Sequence, residues 1–165
     1  MNRTPTIAEF LAQACQGGYL LCAGCRKAGK CRFGMTSEKL LEAGKSLTTL
    51  RCPAEQEGAP AVGHGGWTAA VMDEILGHLA LLSGVFIVTK TLTVEFLKPV
   101  PLERDLECHA WVESRDEGRW QIAGELRLNT AVLARAAGLF VERDAAHFLR
   151  FDRWIAEQAT DSPKV

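Results

Sequence analysis

The chain has 165 residues and a mass of 18.0 kDa, the ordinary size of one domain, and 47% of its residues are hydrophobic, enough for a buried core. A formal net charge of -1 and a sequence pI of about 6.4 exclude a global electrostatic attraction to nucleic acid or to an anionic membrane. We recognise neither an export signal nor an apolar run long enough to span a bilayer, so we expect a cytoplasmic protein with reduced cysteines.

The first predicted element is a short amphipathic helix. Thr6 and Glu9 have the spacing of a capping box, and apolar residues then recur at helical spacing until Gly17 and Gly18. Together with the loop that follows it, this helix is predicted to form an N-terminal segment, residues 1–44, packed on the rest of a single domain.

The loop at residues 22–32 is rich in cysteine and lysine. Cys22, Cys25 and Cys31 offer three soft ligands within ten residues, so a structural zinc site is chemically feasible. A second close pair of ligands is missing from the spacing. Free thiols are therefore favoured, and no metal or cofactor is expected.

Two strands are predicted before the middle of the chain, one over residues 31–37 and a clearer one over residues 45–52. Residues 53–63 are rich in turn-forming Gly and Pro.

A helix is predicted over residues 66–82. Its apolar residues occur on nearly every side, which is typical of a buried helix. His64 and Gly65 lead into this helix, and it carries two adjacent carboxylates, Asp73 and Glu74, about two turns in. Carboxylates in such a helix indicate either a functional site or hydrogen bonds at an interface.

Four strands are predicted after this helix, over residues 86–97, 106–112, 120–128 and 132–142. Short turns between them favour an antiparallel meander. Such a sheet can curl around the apolar helix and bury it, which gives an α+β fold. The sheet edges favour the pairing of two sheets across a dimer axis.

The helix and the strand after it resemble the hotdog-fold acyl-CoA thioesterases, in particular the phenylacetate-degradation (PaaI-like) branch. The resemblance rests on the helix entry His64-Gly65-Gly66, on Asp73 nine positions after the histidine, and on a strand that ends in an aromatic-x-x-Pro motif at residues 96–99. It implies a curved antiparallel sheet wrapped around one long central helix, in homodimers that often pair into tetramers. We therefore predict a thioesterase core at residues 45–143 and a C-terminal extension at residues 144–165.

The resemblance also implies an activity, the hydrolysis of acyl-CoA or aryl-CoA thioesters to the free acid and CoA. Asp73 would be the nucleophile or general base, and Gly65 would donate its backbone N–H to the thioester oxygen. His64 would position this oxyanion end, and Thr89 would hold water or substrate. Some relatives have an asparagine six residues before the histidine, where this chain has Gly58.

Four further residues are expected to bind substrate: Gly66, Glu74, Lys98 and Arg104. The two basic residues flank the end of the long strand, where their charges suit the phosphates of CoA. The specific role of Glu74 is left open.

Helix geometry constrains the assembly of such a site. The eight residues from Gly65 to Asp73 span about 12 Å of helix, whereas an oxyanion donor and an attacking group must both reach one carbonyl carbon. The site is therefore predicted to combine Gly65 of one subunit with Asp73 of its dimer partner, so that a monomer would be inactive.

Alternative interpretations stay open. The carboxylates can serve only as interface hydrogen-bonding groups, and His64 can serve only to hold the helix entry. His78 and His109 show no partner at a recognisable spacing and are interpreted as structural. A non-catalytic acyl-CoA-binding protein and a hotdog enoyl-thioester hydratase or dehydratase are the alternative functions.

Overall fold

A computed structural model describes residues 6–160 of the chain, except residues 43 and 145. Within these residues, a long helix packs against a six-stranded antiparallel sheet, which confirms the predicted α+β architecture. The helices are α1 (Ile7–Ala14), α2 (Ala23–Arg26), α3 (Gly65–Leu82) and α4 (Ala146–Thr160), with a 3-10 turn at Ala54–Gln56. The strands are β1 (Cys15–Gln16), β2 (Tyr19–Leu20), β3 (Met35–Leu40), β4 (Lys45–Arg51), β5 (Glu57–Ala59), β6 (Val62–Gly63), β7 (Ile87–Phe96), β8 (Asp105–Asp116), β9 (Arg119–Leu128) and β10 (Ala131–Glu142). None of the helices in this part of the chain is both long and apolar enough to cross a membrane.

The strand order of the main sheet is β3-β4-β8-β9-β10-β7. The predicted four-strand meander is therefore wrong in one respect, because β7 pairs with β10 at the sheet edge and not with β8. The link between β7 and β8 contains Pro99 and Pro101, which favour an extended backbone over a tight hairpin turn. This link forms bridges with Val62 and Cys52 instead, and it leads the chain across to the opposite side of β10 and β9.

Helix α3 forms the centre of the core. Val71, Met72, Ile75, Leu76 and Leu79 on this helix are all fully buried. Burial of each such side chain stabilises the fold by roughly 1.5–3 kcal/mol relative to exposure. The burial is less complete than predicted, because Asp73, Glu74 and Gly77 lie on a side of the helix that is only half-buried.

The sheet approaches this helix so closely at one point that a side chain is excluded. A Cβ atom at Gly124 in β9 would lie 2.9 Å from Cδ1 of Leu76 and 2.9 Å from the carbonyl oxygen of His109. Real Cβ atoms do not approach other heavy atoms this closely, so the packing of helix on sheet requires glycine here.

A β-bulge interrupts the pairing of β7 with β10. Thr89 pairs with Phe140 and Thr91 pairs with Leu139, so Lys90 is an extra residue in β7. An extra residue changes which side chains face each side of the sheet. In a regular strand, residues three positions apart face opposite sides of the sheet. Because of the bulge, Thr89 can hydrogen-bond to helix α3 while Leu92, three positions later, also packs in the core.

The N-terminal segment is a helix followed by a small hairpin. Its predicted capping box is confirmed, because the Thr6 N–H donates to the Glu9 carboxylate at 2.7 Å and the Glu9 N–H donates to the Thr6 hydroxyl at 3.3 Å. Gly17 and Gly18, with φ of 65° and 90°, form the turn between β1 and β2. The carbonyl oxygen of Gly18 accepts from the Glu38 N–H at 3.0 Å and so joins the hairpin to β3.

The first strand of the main sheet lies later than predicted, at residues 35–40. Gly34 ends the preceding turn with a φ of 79°, and a Cβ atom there would lie 1.9 Å from the carbonyl oxygen of Arg51. The strand begins only after this glycine. The sequence pattern also gave no element for the C-terminal extension, where the structure has helix α4.

Candidate active site

The entry of helix α3 is capped by His64. The Nδ1 atom of the His64 ring accepts a hydrogen bond from the Gly66 N–H at 2.9 Å. The backbone N–H of His64 donates to the carbonyl oxygen of Gln56 at 2.7 Å. An accepting Nδ1 carries no proton, so the ring N–H lies on Nε2. The N–H of Gly66 is thus engaged within the chain, which leaves Gly65 as the glycine with an N–H outside this cap.

Gly58 packs directly against His64. A Cβ atom at Gly58 would lie 2.7 Å from Cα and 3.0 Å from Cβ of His64, which is too close for any side chain. An asparagine side chain at this position would displace the histidine. This chain therefore holds the helix entry by close backbone packing of the β5–β6 hairpin.

Gly65 is the first residue of helix α3, where backbone N–H groups have no partner within the helix. It lines a groove of about 330 Å³ together with Phe96, Leu97 and Lys98 at the end of β7. Lys98 thus lies at the predicted oxyanion end. Arg104 is exposed in the turn before β8 and is not among the residues that line this groove.

Asp73 and Thr89, two of the predicted site residues, are in direct contact. The Thr89 hydroxyl donates to Oδ1 of Asp73 at 2.8 Å, from the strand to the helix. Both residues line a second cleft, of about 510 Å³, between helix α3, the start of β7 and the N-terminal segment. Most of the other lining side chains are apolar, so the carboxylate lies at the edge of a largely apolar space.

Glu74 enters the same cleft and is the end of a buried chain of charged groups. Its Oε1 lies 3.2 Å from Nε2 of His78, and Nδ1 of His78 lies 3.1 Å from Oε1 of Glu38 in β3. The side chain of Glu74 is 23% exposed, that of His78 is 6% exposed, and that of Glu38 is fully buried. We call these three residues the Glu38–His78–Glu74 chain.

The interpretation that His78 has no partner is wrong. Glu74 and His78 are separated by four positions on the helix, a spacing that brings side chains together and that the sequence displayed. Glu38 carries no such signal, because it lies 40 positions away and meets His78 only through the fold. His109 also has a neighbour, Glu107, at 3.3 Å.

The contacts among these side chains shift the pKa of His78 and of Glu74 so that both favour their charged forms. Burial alone would lower the pKa of His78, but hydrogen bonds to Glu38 and Glu74 outweigh it and raise the pKa from 6.5 to about 9. Burial would likewise raise the pKa of Glu74, but the hydrogen bond from His78 holds it below its usual value. His78 is therefore a cation at neutral pH, between two carboxylates.

The cysteines of the N-terminal loop lie close to this cleft as thiols. Cys22 lines the cleft, and Nη2 of Arg32 lies 3.9 Å from its Sγ. Burial raises the pKa of Cys25 and of Cys31. Within the described ranges, no three His, Cys, Asp or Glu side chains are arranged to hold a metal ion. The prediction of free thiols without a bound metal stays untested.

Gly65 and Asp73 therefore lie in two different depressions of the same chain, one at the start of helix α3 and one about two turns further along. The first offers an N–H donor near a lysine, and the second offers a carboxylate held by a hydroxyl. This separation agrees with the spacing calculated from the sequence.

Comparison with known proteins identifies this architecture. Residues 62–130, which contain helix α3 and the strands after it up to the β9–β10 turn, match the family model of the thioesterase superfamily. The helix entry, helix α3 and strands β7 to β9 thus resemble that superfamily in sequence. The hotdog fold implied by the sequence resemblance is thereby confirmed.

Similar proteins include members of this superfamily. The acyl-coenzyme A thioesterase THEM5 of Mus musculus is 30% identical over 100 residues, which are 59% of this chain and 40% of THEM5. The crystal structure of RHA08564, a thioesterase superfamily protein, is 28% identical with a TM-score of 0.59, over 63% of this chain and 54% of that chain. The chain thus spans well under two thirds of the length of these relatives.

The PaaI protein of E. coli, from the phenylacetic acid degradation operon, shares the fold. It superposes with a TM-score of 0.64 at 19% identity, over 73% of this chain and 85% of that chain. At this level of identity, the likeness to the phenylacetate branch concerns the fold alone.

The charge on His78 predicts a pH dependence of stability. Its pKa is higher in the folded than in the unfolded state, so its stabilising effect is complete below pH 6.5 and is lost as the pH rises through about 9. Urea unfolding of the wild type and of His78→Gln across this range should show the difference in unfolding free energy shrinking as pH rises. His109→Gln, on the half-exposed histidine of β8, is the control. A difference that is constant with pH would contradict the charged state assigned to His78.

Proposed function

We propose that this chain hydrolyses acyl-CoA thioesters to the free acid and CoA, with aryl-CoA thioesters as a second substrate class. The observation that carries the proposal is the Asp73 carboxylate, fixed by the Thr89 hydroxyl at the edge of a largely apolar cleft. The match of residues 62–130 to the thioesterase superfamily and the similarity to an acyl-CoA thioesterase support this activity.

In the general-base form of the reaction, Asp73 takes a proton from water while the water oxygen attacks the thioester carbonyl carbon. The carbonyl oxygen becomes an oxyanion, which the Gly65 N–H stabilises at the start of helix α3 with little reorganisation. The C–S bond then breaks, and the CoA sulfur leaves with the proton that Asp73 holds. Thr89 keeps the carboxylate in place through its hydrogen bond.

In the nucleophilic form, Asp73 itself attacks the carbonyl carbon and displaces the CoA thiolate, which gives a mixed anhydride. Water then hydrolyses the anhydride and restores the carboxylate. A single turnover in ¹⁸O-labelled water distinguishes the two forms. In the nucleophilic form, attack of labelled water on the aspartyl carbonyl places the label in the Asp73 side chain, whereas the general-base form never labels Asp73.

We further propose that the site is shared between two subunits of a homodimer, with two such dimers able to pair. The ten-residue strand β7 is an edge of the main sheet and has backbone groups available for pairing with a second copy. Phe96, at its end, is 58% exposed and lies beside Gly65. Pairing at this edge can bring the Gly65 groove of one subunit to the Asp73 cleft of its partner.

CoA recognition is assigned to the Gly65 groove. Lys98 lines that groove and is suited to a phosphate group, whereas Arg104 lies outside it and would act at longer range. Gly66 contributes by keeping the His64 cap in place, since a Cβ atom there would lie 2.9 Å from Nδ1 of His64.

Replacement of the candidate catalytic carboxylate tests the reaction. Asp73→Asn keeps the shape of the side chain but removes its basicity, so kcat should fall about 10²–10⁴-fold. A panel of acyl-CoA and aryl-CoA thioesters, with release of free thiol as the readout, provides the measurement. Asp116→Asn, in the exposed end of β8, is the control. Unchanged turnover in Asp73→Asn would refute the role of Asp73, and hydrolysis of no thioester by the wild type would favour a binding protein.

The oxyanion donor can be removed with little disturbance to the helix. Proline is well tolerated at the first residue of a helix, and the extended backbone of His64, with φ -61° and ψ 136°, suits a following proline. Gly65→Pro should therefore fold normally and lose about 10²–10³-fold in kcat. Gly65→Ala retains the N–H, and its Cβ would make an ordinary 3.6 Å contact with Phe96, so it should lose far less. Equal activity of the two variants would exclude Gly65 as the donor.

Mixed dimers test whether the site is shared. Gly65→Pro and Asp73→Asn should each be inactive alone, but a dimer of one subunit of each kind would contain one intact site. Differently tagged copies, co-expressed and purified through both tags, should therefore regain activity. If each site belonged to one chain, the mixed dimer would contain no intact site and would stay inactive.

A further inference from the structure

The cleft beside Asp73 follows one face of helix α3. Asp73, Gly77 and Leu81 lie on successive turns and all line it, so the cleft extends from the carboxylate for about 12 Å along the helix. Ile87 and Val88 of β7 form its second side. The cleft is thus elongated and largely apolar, and it starts at the candidate catalytic group.

Gly77 lies in the interior of a long helix, where glycine is less favourable than alanine. Neither of the usual reasons for glycine applies to it. Its φ is not positive, and the nearest contact of a Cβ atom would be an ordinary one, 4.0 Å from Cε1 of Phe140. Gly124, in contrast, is required by the packing of helix on sheet. Because Gly77 has no side chain, it leaves open space in the cleft.

Residues of the N-terminal segment form one wall of this cleft. Phe10 of α1 lines the cleft and packs edge-on against Phe86 with ring centroids 5.3 Å apart, while the guanidinium of Arg26 lies 5.2 Å from the ring centre of Phe10. Leu20 and Leu21 complete this wall. The wall is therefore made by side chains that have fixed partners.

The Glu38–His78–Glu74 chain fastens the wall to helix α3. Glu38 accepts from the Leu20 N–H at 3.2 Å and from the Thr48 hydroxyl at 3.3 Å, in addition to its contact with His78. The fully buried carboxylate therefore ties the N-terminal hairpin to the same helix that carries Asp73. A wall held in this way has a defined distance from the cleft floor.

We infer that this cleft is the acyl-binding pocket and that Gly77, as its floor, and Phe10, as its roof, determine the size of the acyl group accepted. The inference rests on the proposed function, since it places the acyl tail next to Asp73. A space of about 510 Å³ that is apolar on most sides suits a medium-length aliphatic or an aryl acyl group.

The experiment compares kcat/KM for a series of acyl-CoA thioesters from acetyl to long-chain and aryl groups. Gly77→Ala and Gly77→Leu should lower the ratio of bulky-acyl to acetyl activity progressively, by about tenfold or more for leucine. Gly77→Ala should at the same time raise the midpoint of thermal unfolding, since alanine is the better helix former. A loss of bulky substrates in a more stable protein cannot come from damage to the fold.

Phe10→Ala should act in the opposite direction and raise the same ratio for the longest acyl groups. Leu11→Ala is its matched control, because Leu11 lies on the same helix but is not among the residues that line the cleft. The inference is overturned if the ratio stays constant in the Gly77 variants, or if Leu11→Ala changes it as much as Phe10→Ala.

A binding measurement separates this inference from the proposed function. If the folded wild type releases CoA from no thioester, the proposed hydrolysis fails, whereas calorimetric titration with non-hydrolysable acyl-CoA thioethers still reports on the pocket. Gly77→Leu should then weaken binding of the longer analogues about tenfold or more relative to the acetyl analogue. Equal weakening of all analogues would overturn the pocket assignment.

Discussion

The structure depends on one constraint, the burial of a helix that is apolar on nearly every side. Helix α3 must be surrounded, and the sheet covers most of it. An ionisable group on such a helix is stabilised by a partner from a neighbouring element, because an unpaired buried charge is costly. Asp73 finds this partner in Thr89, and His78 finds it in Glu38. The part of the helix that the main sheet leaves uncovered lines the cleft.

The two ends of the candidate site are held by different physical means. At the helix entry, backbone groups dominate, with the His64 ring as a cap and Gly58 packed against it. At the carboxylate, side chains from three separate segments meet. The first arrangement suits a donor that must not move, and the second suits a pocket whose lining can vary between proteins.

Features that depend on neighbouring residues could be predicted from the sequence. The helix at residues 65–82 follows from its apolar pattern, the capping box from Thr6 and Glu9, and the pairing of β8 with β9 from a short turn. The candidate site residues Asp73, Gly65 and His64 were identified through a family resemblance, and their catalytic roles stay predictions.

Features that depend on distant residues could not be predicted in this way. Nothing near Glu38 in the sequence indicates that its carboxylate binds His78, and nothing near Lys90 indicates a bulge opposite Phe140. The position of β7 at the sheet edge depends on how the whole sheet closes around the helix. Glu74 and His78 are the exception, since a separation of four positions on a helix is enough to indicate their contact.

The buried carboxylate of Glu38 also bears on the order in which the chain folds. It joins Leu20, 18 positions before it, to His78, 40 positions after it, so its contacts require two loops to close. Contacts between residues distant in sequence form slowly relative to local hairpins and helices. The N-terminal wall should therefore dock late, on a sheet and helix that are already assembled. An intermediate that lacks this step would have its core in place and an open, unroofed groove beside Asp73.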